Sequence, residues 1–250
     1  MNSSPPDRAR RASTAPDWRI VPMGDRCLLV EFEARVDAEI NRKARSLAAR
    51  LLCEPPPGVV DVVPTFCSVA VYYRPEQFGP APAPFEQLRL QVEAVLKSGV
   101  EVAKDFGRIV HVPVCYGGEQ GPDLDEVAMA CGMTADEVVR AHVASDHVVF
   151  MLGFSPGFPY IGGLDSRLAM PRRATPRTSI PAGTVAIARD QTAIYTFETP
   201  GGWNMIGRTP MKLFDPQAEP PCRLQPGDRI RFVPMPRDQF DAYDRSAGLA

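Results

Sequence analysis

The residues best able to do chemistry gather between Phe150 and Pro210, with His111 as an outlier. Arg177 and Arg208 are each followed by threonine and set among prolines and glycines. A guanidinium is a planar fork that matches a pair of carboxylate or phosphate oxygens. Both arginines therefore suit an anion, or alternatively the carbonyls of their own loops. Gln191 and Thr192 offer an amide and a hydroxyl at a turn, fit to orient a polar ring amide or to cap a loop. Phe154, Phe158, Tyr160 and Trp203 could wall a groove for a flat ring, or belong to a core or a partner-facing surface. His111, in the alternating stretch RIVHVPV, has a side chain that ordinarily titrates near neutrality and can move a proton. Its apolar neighbours equally suit a hydrogen-bonded core histidine. His142 and His147 read as surface or boundary residues. Ser155 lies in GFSPG, which is not a nucleophile elbow, because Pro156 opposes the helix that must follow.

Other chemistries are excluded by what is missing. No phosphate-binding glycine loop ends in GK[ST], and Gly201-Gly202 is too short to cradle a triphosphate alone. No lysine stands in a motif suited to carry biotin. Cysteines at 27, 53, 67, 115, 131 and 222 form no CxxC pair, and the three histidines add no ligand pattern. No metal site is expected, and reduced thiols in the cytoplasm are. A net charge of −2 with mixed signs gives no footprint for nucleic acid or an anionic membrane. The apolar run Val148 to Leu152 is far short of the roughly 20 residues of a membrane span. Residues 1–16 are polar and basic without the apolar stretch of a secretory signal, so a disordered tail is expected. A mitochondrial-type presequence is the second reading, opposed by Pro5 and Pro6.

The elements that must position these residues fall into two groups. Residues 17–100 read β-β-α-β-β-α. Alternation on either side of Gly24-Asp25 predicts a hairpin. Ile40, Ala44, Leu47, Ala48 and Leu51 have helical spacing after Asp37, a good N-cap. Val59 to Val63 and Ser68 to Tyr73 are strand-like, and Phe85 to Ser98 is amphipathic. Two helices on one face of a small sheet follow. Residues 107–237 read as β-rich with two early helices. Arg108 to Tyr116 alternates as a strand. Asp123 to Cys131 and Ala135 to Ala144 are helical, the second opened by Thr134 with Glu137 as a capping box. Short strands are expected at Val148 to Leu152, Thr184 to Ala188, Ala193 to Thr196, Met211 to Phe214 and Arg229 to Val233. Seven prolines and eight glycines punctuate Phe150 to Pro210. Many short strands between turns predict a closed barrel carrying shaped loops. Residues 238–250 are polar and expected to be a frayed C-terminal tail.

Several ordered motifs carry a family resemblance. They are His111-Val-Pro-Val-Cys115-Tyr116-Gly117-Gly118, Gly153-Phe154-x-Pro156-Gly157-Phe158-x-Tyr160-x-Gly162-Gly163-Leu164, Pro171-Arg172 and Thr175-Pro176-Arg177. Pro181-Ala182-Gly183, Gln191-Thr192-x-x-Tyr195 and Pro200-Gly201-Gly202-Trp203-x-x-Ile206-Gly207-Arg208-Thr209-Pro210 follow. Over residues 18–236 the chain resembles the PxpB family of 5-oxoprolinase subunits, also called the KipI or allophanate hydrolase subunit 1 family. The resemblance implies an α+β chain, with a small α/β sandwich domain followed by a cyclophilin-like β-barrel. It implies ATP-dependent opening of 5-oxoproline to glutamate together with two other subunits. One is a homologous subunit of the KipA or PxpC type, the other a subunit of the PxpA type. The chain alone is then expected to be inactive, with ATP at a site shared with or supplied by a partner. The implied roles give His111 a proton, Arg177 and Arg208 the anionic groups, and Gln191 with Thr192 the ring amide. Phe158, Tyr160 and Trp203 would line the substrate groove. The alternatives are a carboxyltransferase-type subunit of a biotin-dependent urea carboxylase or allophanate hydrolase system, and a KipI-like inhibitor of a sensor histidine kinase. Arg189 and Ala193 depart from the family pattern, which often has glycine at both.

Overall fold

The computed structural model describes residues 16–99 and 107–247, with side chains described up to residue 243. The expected N-terminal tail falls outside these residues except for Pro16. The first lobe is a four-stranded antiparallel sheet of β1 (Arg19–Pro22), β2 (Cys27–Glu31), β3 (Val59–Pro64) and β4 (Ser68–Tyr73), in the order β1-β2-β4-β3. Helices α1 (Ala38–Cys53) and α2 (Pro84–Lys97) cover it. Asp37 caps α1 as its sequence predicts, accepting the N–H groups of Glu39 at 2.9 Å and Ile40 at 3.1 Å. Ala44, Leu47 and Leu51 of α1 meet Leu28, Val30, Val69 and Val71 of the sheet and Leu88 and Val92 of α2 in one buried cluster.

The second lobe is a closed barrel. Its strands are β5 (Ile109–Tyr116), β6 (His147–Leu152), β7 (Pro159–Gly162), β9 (Thr184–Ala188), β10 (Gln191–Ile194), β12 (Asn204–Arg208) and β13 (Arg229–Pro234). They close in the order β10-β7-β6-β13-β5-β12-β9. β13 and β5 run parallel, and the other barrel pairs are antiparallel. Closure removes the sheet edges that would otherwise invite pairing with other chains. Val112, Val114, Val149, Ile187, Ile206 and Phe232 fill the interior, and Leu124, Val127 and Val138 pack against them from α3 (Leu124–Cys131) and α4 (Ala135–Ala144). Thr134 and Glu137 form the expected capping box on α4. β8 (Arg177–Ile180) and β11 (Thr199–Gly201) form a two-stranded flap outside the barrel.

Three local expectations are corrected. Met211 to Phe214 is not a strand; it makes one isolated bridge, Phe214 to Cys222. Residues 238–250 are not a frayed tail as far as they are described. Arg237–Ala247 forms α5, anchored by Phe240, which is 2% exposed. The polar composition hid this helix because a single aromatic carries its buried contact. His142 and His147 are not surface residues; both are fully enclosed, at 0% and 1% exposure. Asn41 joins the lobes. Its side-chain amide donates to the carbonyls of Thr65 at 2.9 Å and Phe150 at 3.1 Å.

Candidate functional site

β7, β9, β10 and β12 carry a second buried cluster on the face opposite the main barrel core. Ala186, Ala188 and Ala193 keep that face shallow, so larger rings can lie on it. Phe158, Tyr195 and Trp203 are buried there and Tyr160 is half-buried. The rings pack edge to face: Phe158 lies 5.1 Å from Tyr160 and 5.2 Å from Tyr195 between centroids. Between them is a recess of about 150 Å³, the size of cavity that admits a benzene-like ring. Phe158, Tyr160, Tyr195, Trp203 and the backbone of Pro200 to Gly202 line it, with Phe154 and Arg172. Gly201 must be glycine, because a Cβ there would sit 2.3 Å from the Tyr195 hydroxyl oxygen.

Arg172 supplies the charge. Its guanidinium lies over the Trp203 ring, 5.8 Å from the centroid. Among the described residues no carboxylate pairs with it, and it is exposed. Burial raises the Tyr195 phenol to about 12, with the nearby Arg172 charge pulling the other way. Burial also raises Tyr160, again opposed by Arg172. At neutral pH both phenols are therefore protonated hydrogen-bond donors.

A second recess, of about 480 Å³, opens between the lobes and shares Phe154, Tyr160, Arg172 and Trp203 with the first. The first lobe contributes Thr65 and Phe66 from the β3–β4 loop. The barrel adds Arg189 from the β9–β10 turn and Gln191 from the start of β10. Phe66 is set by edge-to-face contacts with Phe150 at 6.4 Å and Tyr160 at 5.4 Å.

The residues expected from the sequence divide into two sets. Phe158, Tyr160, Trp203 and Gln191 come together at the joined recesses, with Phe154 at their rim. Arg177, Arg208, Thr192 and His111 do not. Arg177 grips Asp123 with both ends of its fork, at 2.8 and 2.7 Å. Arg173 reaches the same carboxylate at 3.1 Å, and the Met205 N–H donates to it at 2.7 Å. Asp123 is 2% exposed, so this cluster is a structural pin that ties α3 to β8 and β12. Arg208 donates to the Ala182 carbonyl at 2.7 Å and stacks on Phe240. Thr192 points into the barrel, 3.2 Å from Nε2 of His142. His111 is exposed on β5, opposite Arg231 of β13, on neither recess. Arg172 was visible in the sequence only as part of Pro171-Arg172. Its proximity to Trp203 depends on a chain crossing of 31 positions.

Comparison with known proteins agrees with this architecture. Residues 18–224 match the family described as "Carboxyltransferase domain, subdomain C and D". The chain is 42% identical over 234 residues to the 5-oxoprolinase B subunit of Bacillus subtilis, covering 90% of this chain and 96% of that one. It is 40% identical over 214 residues to the 5-oxoprolinase B subunit of Escherichia coli O157:H7, covering 85% and 94%. Among solved structures, TTHA0988 superposes with a TM-score of 0.72 at 36% identity, over 84% of this chain. The chain spans only 40% of TTHA0988.

Proposed function

The chain belongs to the carboxyltransferase subdomain C and D family, with the 5-oxoprolinase B subunits as its relatives, and on that premise we propose that it is the B subunit of a cytoplasmic, ATP-dependent 5-oxoprolinase. It works with a homologous PxpC-type subunit and with a PxpA-type subunit, and it does not turn over substrate alone. The observation that carries the reading is Arg172, an unpaired guanidinium over Trp203 at the mouth of a recess sized for a small ring. 5-Oxoproline is a flat five-membered lactam bearing one carboxylate. The carboxylate meets Arg172, and the ring lies against Trp203 and Phe158. A protonated phenol, Tyr160, donates to the lactam oxygen.

A lactam is resonance-stabilised and resists water. Transfer of the terminal phosphoryl of ATP to the lactam oxygen, with ADP leaving, activates the ring carbon. Water adds there, the C–N bond breaks, and a second water releases phosphate from the resulting acyl phosphate to give glutamate. In this chain Arg172 and the aromatic walls position the ring, and positioning is worth several kcal/mol of barrier. His111 lies on neither recess and is given no part in protonating the leaving nitrogen.

The test is 5-oxoproline-dependent ATP hydrolysis by the chain alone and by the chain co-purified with its PxpA-type and PxpC-type partners. Turnover with glutamate formed in the mixture, and none from the chain alone, is the expected result. A stable complex with no 5-oxoproline-dependent turnover would sink the assignment and favour carboxyl transfer.

A further inference from the structure

Resting on the ring recess described above, we propose that the larger recess between the lobes is a polyphosphate subsite, with Arg189 and Arg172 as its two cationic contacts. The recess measures about 480 Å³, within the range of small-molecule sites, and is far larger than one lactam requires. Arg172 and Arg189 both line it, and no acidic residue does. Among the described residues neither guanidinium pairs with a carboxylate, whereas Arg173 and Arg177, close by in sequence, are both engaged. A guanidinium carries five N–H donors, so Arg172 holds the ring ligand's carboxylate at one edge and still offers N–H groups to a phosphoryl oxygen at another. Two on a single recess suit a ligand with several anionic oxygens.

Arg189 itself points the same way. It opens the two-residue loop between β9 and β10, where Ala188 faces Gln191, and its φ is +55°. A hairpin of this kind takes glycine at that position, because an L side chain is disfavoured there. The backbone is held in place by a bridge to Met170. The arginine thus occupies a conformation that glycine would adopt more easily, and its side chain lines the recess. Gln191 adds a polar residue, and Phe66 and Tyr160 add aromatic ones. Arg172 belongs to both recesses, so a phosphate there lies beside the ring ligand.

The experiment is calorimetric titration of the full chain with inorganic tripolyphosphate, ATP, adenosine and 5-oxoproline. Tripolyphosphate and ATP are expected to bind and to weaken as salt rises, and adenosine is expected to bind at least tenfold more weakly than ATP. Arg189→Gly should weaken tripolyphosphate at least tenfold more than it weakens 5-oxoproline, with the melting temperature unchanged or higher. Arg172→Ala should weaken both. If tripolyphosphate fails to bind while 5-oxoproline binds, the subsite is overturned and the ring reading stands. If tripolyphosphate binds through Arg189 while 5-oxoproline does not, the ring reading fails and the subsite stands. Binding of tripolyphosphate that Arg189→Gly leaves unchanged, or adenosine as tight as ATP, overturns the proposal.

Discussion

At the scale of single residues, the arginines divide by what they already hold. Arg177 and Arg173 close on the enclosed Asp123, whose oxygens also receive the Met205 N–H. Removing the carboxylate strands the Arg177 cation and an N–H group, while Arg173 keeps Glu126 at 2.9 Å; the loss costs about 3 kcal/mol. Asp123→Ala should lower unfolding free energy by about that amount in urea denaturation, and Arg177→Ala by about 2 kcal/mol. A loss under about 0.5 kcal/mol for both would put them among ordinary surface positions instead. The sequence could not sort these arginines. Arg172, Arg173, Arg177 and Arg208 all sit among Pro, Gly and Thr. Arg173 and Arg177 are taken by Asp123, some fifty residues earlier in the chain, and Arg208 by the Ala182 carbonyl, which leaves Arg172.

At the scale of elements, the second helix of the barrel lobe carries a buried polar cluster. His142 bonds the Tyr116 hydroxyl through Nδ1 at 2.8 Å and Thr192 through Nε2 at 3.2 Å. His147 holds the His142 carbonyl at 2.7 Å, with its Nδ1 unpartnered. Burial lowers both, His147 to about 4 and His142 well below its usual value, with each ring near Phe232 and Asp146 and Arg231 near His147. Both are neutral in the folded chain at neutral pH. The unfolded chain takes up protons as pH drops below about 6.5, while the folded chain resists until about 4. Stability is therefore full above about pH 7 and falls from there toward pH 4, by roughly 3 kcal/mol for His147 alone. Denaturation curves at pH 7.5 and 5 should differ accordingly, and equal midpoints would contradict the enclosure of this pair. The elements themselves were largely legible. Asp37, the Thr134–Glu137 box and the alternation in β5 and β13 are local signals, and the structure follows them. α5 and the burial of both histidines were not, because one aromatic or one imidazole in a polar stretch carries no period.

At the scale of the whole molecule, the two lobes meet around Asn41 and Phe66 and leave the joined recesses between the aromatic face of the barrel and the β3–β4 loop. The aromatic residues of this region were readable as a possible ring groove from their composition. The cation that completes it was not, since Arg172 reaches Trp203 only once the chain has closed the barrel. Among the described residues no helix is long and apolar enough to cross a membrane. Phe154, 64% exposed at the rim with φ of +66°, leaves an apolar ring in water on this chain alone.

The central claim is that Arg172, rather than Arg177 or Arg208, receives the substrate carboxylate. The direct measurement is the KM for 5-oxoproline in the assembled complex carrying Arg172→Ala or Arg177→Ala. Losing a charged hydrogen bond predicts a rise of roughly 10- to 100-fold for Arg172→Ala, with Arg177→Ala within about twofold of the parent once folded protein is matched. A KM that Arg172→Ala leaves unchanged, or that Arg177→Ala raises more, would contradict the account.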